Sequence, residues 1–267
     1  MSIDNLAALL EAVKGIARDA GEKIMAIYGT AFKVERKSDD SPLTKADMAA
    51  HHCIVDALDK LADYPVLSEE SGSIPFSERR AWQTYWLVDP LDGTKEFVKR
   101  NGDFTVNIAL ILQLRPVLGV VYVPVTRQCY FAAQGLGACK QGEDSPAQAI
   151  RVRTRVPEKL VVAGSRSHVT PELQNYLARL PAHELLSIGS SLKFCLVAEG
   201  RADLYPRMGL TSEWDTAAAQ CVVEQAGGLV TDLQGRELRY NEKESLLNPC
   251  FLVFGDRRVD WAGYAKN

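Results

Sequence analysis

Apolar residues recur at helical spacing from the first turn of the chain: Leu6, Leu9, Leu10, Val13, Ile16, Ala17, Ala20 and Ile24 fall on one face, the stripe of an amphipathic helix. A second stripe, Ala46, Ala49, Cys53, Ala57 and Leu61, predicts a helix over 45–61, with Pro42 and Thr44, a candidate N-cap, marking its start. The pattern then changes. The segments 65–67, 85–88, 105–112, 117–123 and 129–133 are apolar and β-branched with Gly, Pro or Asn at their borders, which predicts strands. Gly135-Leu136-Gly137 has no helix behind it, so it reads as a hairpin turn and not as a dinucleotide loop. After Lys140 the composition turns polar, which suggests halves at 1–145 and 146–267, either two modest domains or one large one.

The second half predicts alternating elements. Segments 160–163, 184–188, 202–205, 229–231 and 251–254 read as strands. A helix over 170–180 has Thr170 as cap and Pro171 in its first position. Helices over 190–199 and 216–226 are closed by Gly200 and by Gly227-Gly228. The expectation is a mixed α/β (α+β) protein whose two packed halves leave a cleft between them.

Composition narrows the function. The chain has 267 residues, 46% hydrophobic and 24% charged, with a formal net charge of −3. That balance argues against a broad basic surface for a nucleic-acid polymer and against disorder. The longest apolar stretch, 116–125, is about half the length of a membrane span, so no transmembrane segment is expected. The N-terminus carries acids and no basic region of a signal peptide. Six cysteines, at 53, 129, 139, 195, 221 and 250, show no C-x-x-C spacing and read as free thiols of a cytoplasmic protein. The four histidines show no zinc-site spacing.

The chemistry concentrates in three acidic segments. In Trp86-Leu87-Val88-Asp89-Pro90-Leu91-Asp92-Gly93-Thr94 an apolar strand ends on Asp89, Pro90 stiffens the exit and Asp92-Gly93 turns the chain. Two carboxylates and the Leu91 carbonyl can then converge, an oxygen set suited to Mg²⁺. The alternative is a strand-to-turn corner in which Asp92 bonds its own backbone. Leu67-Ser68-Glu69-Glu70-Ser71 puts acids at another strand end, or in a solvated loop. Trp214-Asp215-Thr216-Ala217-Ala218 puts one at a helix start, where Asp also serves as an N-cap. Thr44-Lys45-Ala46-Asp47 has the spacing of a capping box.

In this order and at these spacings, the three segments resemble the inositol monophosphatase superfamily over essentially the whole chain. Segments 86–107 and 187–207 look most like its bacterial bisphosphate nucleotidases. The resemblance implies a layered α-β-α-β-α sandwich of the inositol monophosphatase and fructose-1,6-bisphosphatase type. It also implies a Mg²⁺-dependent, lithium-sensitive phosphomonoesterase. Glu69, Asp89 and the Leu91 carbonyl would hold one Mg²⁺; Asp89, Asp92 and Asp215 would hold a second; a weaker third would reach Glu69. Four carboxylates this close repel one another and raise their pKa values, a repulsion that divalent cations remove. The nucleophile would be a metal-activated water, oriented by Thr94 and deprotonated with help from Asp47. Glu69 counts with these two in the catalytic set.

The substrate implied is adenosine 3′,5′-bisphosphate, a by-product of sulfate assimilation, with 3′-phosphoadenylyl sulfate as a relative. On the metal side it would meet Glu69, Leu91, Asp92, Gly93, Thr94 and Asp215. Its second phosphate and nucleoside would meet His168, Ser190, Lys193 and Arg207. Read alone, Ser190 is a helix cap, Lys193 and Arg207 are surface charges and His168 is a loop residue. Lys193 falls in a first helical turn, which disfavours a cation unless an anion is near. Arg207 ends a strand with a guanidinium suited to phosphate. The rivals are an inositol monophosphatase or sugar bisphosphatase with the same metals, and a non-catalytic nucleotide sensor. A structural Ca²⁺ site lacks the EF-hand pattern. The resemblance further implies a monomer or homodimer, cytoplasmic or peripheral on the inner membrane, although no basic amphipathic helix supports strong attachment.

Overall fold

The computed structural model describes residues 2–30, 35–36, 42–43, 45–165 and 170–266. The N-terminal stripe becomes α1 (Ile3–Tyr28), capped by the Ser2 hydroxyl, which accepts from Asn5 N at 3.3 Å. Short strands β1 (Glu35–Arg36) and β2 (Pro42–Leu43) pair with each other ahead of α2 (Lys45–Leu61). The buried face of α2 is Ala46, Ala50, Ile54 and Leu58, one row round from the expected stripe. Cys53, Ala57 and Leu61 are half-buried beside it. The larger Ile54 and Leu58 gain more from burial than Ala or Cys, and this sets the rotation of the helix. Thr44 lies outside the described residues.

A seven-stranded sheet follows. Its strands are β3 (Val66–Ser68), β4 (Thr84–Asp92), β5 (Thr105–Leu112), β6 (Arg115–Val123), β7 (Gln128–Ala133), β8 (Gly137–Gln141) and β9 (Gln148–Ala149), in that spatial order. All neighbours are antiparallel except β3 and β4. The short helices α3 (Phe76–Arg79) and α4 (Thr94–Val98) flank β4 in the chain. The hairpin turn does form, at residues 134–136, with Gly137 already opening β8, a strand the sequence pattern did not reveal.

The second sheet has the order β11-β10-β12-β14-β13, made of β10 (Leu160–Ser165), β11 (His183–Ile188), β12 (Leu204–Arg207), β13 (Leu229–Asp232) and β14 (Phe251–Phe254). Strands β11, β10 and β12 are parallel; β14 runs antiparallel to β12 and β13. Helices α5 (Pro171–Arg179), α6 (Leu192–Ala198) and α7 (Ala217–Gln225) belong to this half. The Thr170 hydroxyl caps α5 by accepting from Leu173 N at 3.2 Å.

Three apolar clusters give the layers. Helices α1 and α2 cover one face of the large sheet, packing on Trp86, Val88, Ile108 and Leu110. Its other face, with Tyr85, Leu87 and Ala109, meets α6 and α7, which also pack on Tyr205 and Phe251 of the second sheet. Beyond that sheet, α5 and a 3₁₀ turn at Trp261–Ala265 cover Val162 and Leu204. The result is an α-β-α-β-α sandwich. Every residue of α6 is buried between the two sheets, the charged Lys193 among six apolar residues. Gly119 on β6 lets α7 approach: a Cβ there would lie 2.2 Å from the Ala218 carbonyl oxygen. Among the described residues no helix is long and apolar enough to cross a membrane. All six cysteines are unpaired thiols.

Candidate active site

The large sheet builds the acidic centre. Strand β4 does not stop at Asp89 but continues to Asp92. Asp89 pairs with Asn107 and Asp92 with Thr105, so three steps on β4 oppose two on β5. This bulge places Pro90, which has no N–H for the ladder, at the irregularity and re-aims the side chains around it. The Leu91 N–H donates to Asp89 Oδ1 at 3.0 Å. Gly93 then takes φ +92° and opens α4, whose first residue is Thr94. An L side chain at that φ is strained.

Glu69 follows β3 directly, and its N–H donates to Val88 O at 3.1 Å, which carries the pairing one residue further toward Asp89. Asp215 comes from the turn before α7, where its Oδ2 accepts from Ser212 N at 2.9 Å. The N-cap of α7 is Thr216, so Asp215 is not the cap its sequence position allowed. Glu69, Asp89 and Asp215 each offer an oxygen within 4.8 Å of the others. Asp89 is held well above the usual carboxylate range, first by burial and then by Glu69, Asp92, Asp215 and Asp47. Asp215 is raised by burial and by Asp92. Three carboxylate oxygens converging at this range, with the ionised forms of Asp89 and Asp215 penalised, match what a hard divalent cation binds and what a bare apo site tolerates poorly. The donor set fits a metal.

Asp92 stands beside this trio with a different set of partners. Its Oδ2 accepts from Ser191 N at 2.6 Å and from Asn107 Nδ2 at 3.5 Å. Burial raises its pKa, while Lys193 and these two bonds lower it. Asp47 is buried in the first turn of α2.

A cavity of about 310 Å³ joins the two halves of the expected site: its walls include Glu69, Asp92, Asp215, Ser190, Lys193 and Arg207. Gly93 and Thr94 line it as well. Lys193 is no surface charge; it is 6% exposed, its Nζ lies 5.4 Å from the Tyr205 ring centroid, and it donates to Ser190 O. Burial pulls its pKa down to about 8, against the pull of Asp92. Ser190 takes φ +47°, and Ser191, one residue on, holds the N-cap position of α6, so the helix starts later than expected. Arg207 Nη2 donates to Leu210 O at 2.7 Å, while its buried Nε has no hydrogen-bond partner among the described residues. His168, with Arg166 and Ser167, lies outside the described residues.

Sequence reasoning passed over Thr105, Asn107, Ser191 and Tyr205. The first two carried a signal: polar residues two apart inside an apolar strand share one face, here the face toward α6 and α7. Tyr205, Ser165 and Arg207 also line a second cavity of about 270 Å³ with Leu173, Pro206 and Met208.

Comparisons with known proteins point to one family. The family model described as the inositol monophosphatase family matches residues 5–256. The chain is 55% identical to the 3′(2′),5′-bisphosphate nucleotidase CysQ of Salmonella typhimurium over 248 residues, 92% of this chain and 99% of that protein. It is 54% identical to the same-named protein of Escherichia coli K12 over the same shares. Among solved structures it is similar to CysQ from Bacteroides thetaiotaomicron, a bacterial member of the inositol monophosphatase family. That match has a TM-score of 0.82 and 45% identity, covering 94% of this chain and 98% of that one.

Proposed function

This chain belongs to the inositol monophosphatase family, and from that premise we propose that it is a 3′(2′),5′-bisphosphate nucleotidase that hydrolyses adenosine 3′,5′-bisphosphate to AMP and phosphate. The observation that carries the reading is the cavity whose walls bring Glu69, Asp92 and Asp215 together with Ser190, Lys193 and Arg207. A monophosphate needs only the acids and their metal. A second phosphate needs cations across the cavity, and a nucleoside needs an apolar recess, which the cavity behind Tyr205 and Arg207 supplies.

The family is metal-dependent, and Glu69, Asp89, Asp215, Asp92 and the Leu91 carbonyl would hold Mg²⁺, in our reading two ions. When bound, the metal supplies Lewis acidity to the phosphoryl oxygens and lowers the pKa of water. The chain's own groups do the rest. Thr94, at the first position of α4, orients the attacking water, and Asp47 accepts its proton. Ser190, Lys193 and Arg207 hold the second phosphate, for which Arg207 brings a donor with no internal partner among the described residues. Leu173, Pro206 and Met208 face the adenine. The assignment of His168 to the base or ribose rests on the sequence.

The test is phosphate release from adenosine 3′,5′-bisphosphate with Mg²⁺ and with excess chelator, the nucleotide product being identified by chromatography. Mg²⁺-dependent formation of 5′-AMP is expected. Tight nucleotide binding without metal-dependent turnover would make the chain a sensor instead. Loss of the 5′-phosphate, giving 3′-AMP, would reverse the orientation proposed for the substrate.

A further inference from the structure

Strand β5 is buried on both faces, yet it carries Thr105 and Asn107, 0% and 1% exposed, opposite Ser191, 2% exposed. Buried polar groups are costly unless each finds a partner, and here they find one another. Ser191 Oγ lies 2.8 Å from Asn107 Oδ1 and 2.9 Å from Thr105 Oγ1. Asn107 Nδ2 faces Asp92 Oδ2 at 3.5 Å.

The donor directions follow from the end of the chain. An ionised carboxylate can only accept, so Asn107 turns its NH₂ toward Asp92 and its oxygen toward Ser191. Ser191 has one hydroxyl proton, and Asn107 Oδ1 takes it. Thr105 must then donate to Ser191 Oγ. The order Thr105→Ser191→Asn107→Asp92 is thus one-way, and Ser191 N adds a second donor to the same Asp92 oxygen at 2.6 Å. Both hydrogen bonds that Asp92 accepts among the described residues end on Oδ2. This leaves Oδ1 for another partner.

We propose that Thr105, Ser191 and Asn107 are positioning residues that lock the Asp92 carboxylate and so set the affinity of the metal site. The inference rests on the reading of Asp92 as a metal ligand. The donors arrive at the β4 bulge, where the register jumps between Asp89 and Asp92, so they hold the side chain of a ligand that follows the irregularity. Ser191 also neighbours Ser190 and starts the helix that carries Lys193. The metal ligand and the residues proposed for the second phosphate are therefore tied through one contact, Ser191 N to Asp92. Groups that orient a ligand typically change metal affinity by about 10–100-fold when removed.

The experiment is Mn²⁺ titration of the substrate-free protein, read by electron paramagnetic resonance, beside the Mg²⁺ concentration giving half-maximal turnover. Ser191→Ala removes the central hydroxyl but keeps the backbone donor. It should weaken Mn²⁺ binding by about tenfold and raise the Mg²⁺ midpoint in parallel, with kcat at saturating Mg²⁺ nearly retained. Thr105→Val should shift the same way and Thr105→Ser should restore wild-type affinity. This pair decides the matter if Ser191→Ala fails to fold. Asp92→Asn is the control. If it weakens Mn²⁺ binding while Ser191→Ala and Thr105→Val do not, the donor chain only fills the core and the inference is overturned. If Asp92→Asn itself binds Mn²⁺ normally, Asp92 is not a ligand and the inference falls with that reading.

Discussion

At Lys193 two unfavourable conditions meet: the ammonium is buried, and it sits in the first turn of α6, where the helix dipole opposes a cation. Asp92 is the compensating charge, and burial still holds the pKa at about 8. The sign for catalysis follows. Below pH 8 the free enzyme carries the cation; above it the group is neutral and attracts a phosphate less. We expect kcat/KM for the bisphosphate, which reports the free enzyme, to fall as pH rises through about 8. A monophosphate lacking the second charge should show a smaller fall; matching profiles for the two would remove Lys193 from the second phosphate site. Arg207→Ala should raise KM for the bisphosphate by about tenfold, a loss of about 1.4 kcal/mol, and hardly affect the monophosphate. An equal rise for both would place Arg207 outside that site. Both cations were legible as residue types near a helix start and a strand end. The burial of Lys193 was not, because it comes from packing between elements, with Tyr205 of β12 lying against the ammonium of α6.

At the level of elements, periodicity located nearly every long helix and strand, because burial on one face leaves a repeat that tertiary packing reinforces. It failed in specific ways. On α2 it chose Ala46, Ala49, Cys53, Ala57 and Leu61, while the protein buries Ala46, Ala50, Ile54 and Leu58; two adjacent rows were both apolar, and side-chain volume broke the tie. It ended β4 early because Asp89 and Pro90 look like a strand terminus. The pairing with Asn107 and Thr105 through a bulge is long-range information that one strand's pattern does not contain. Close approach is similarly invisible: nothing around Gly119 in the sequence announces α7 lying against it. Gly119→Ala would set a Cβ 2.2 Å from the Ala218 carbonyl oxygen and 2.9 Å from Cys221 Cβ. Overpacking of this kind costs about 1–3 kcal/mol. We expect a lower urea midpoint for Gly119→Ala with an unchanged slope; a midpoint equal to wild type would show that α7 yields without strain.

Across the whole molecule, a net charge of −3 coexists with an anionic substrate because the acids are gathered where a cation neutralises them. That arrangement couples stability to pH. Asp89, Asp92 and Asp215 have raised pKa values in the folded state, so the folded protein keeps protons that the unfolded chain releases near pH 4. Without metal, this contribution to stability is lost as pH rises above about 4 through the folded values. Mg²⁺ replaces those protons, so its stabilisation should be larger at pH 8 than at pH 5, reaching about 2.7 kcal/mol at a hundredfold excess over Kd. A gain in melting temperature that is equal at both pH values would contradict the cluster's role. The three acidic segments were readable in the sequence as separate motifs. Their convergence with Ser190, Lys193 and Arg207 in one cavity was not, since residues from 69 to 215 meet there through both sheets. That shared cavity is the basis for calling the substrate doubly phosphorylated, and the ratio of kcat/KM for adenosine 3′,5′-bisphosphate to that for inositol 1-phosphate, with Mg²⁺ on the same preparation, tests it most directly. A ratio well above one, about tenfold or more for one lost charged contact, is predicted; equal or better turnover of the inositol phosphate would contradict it.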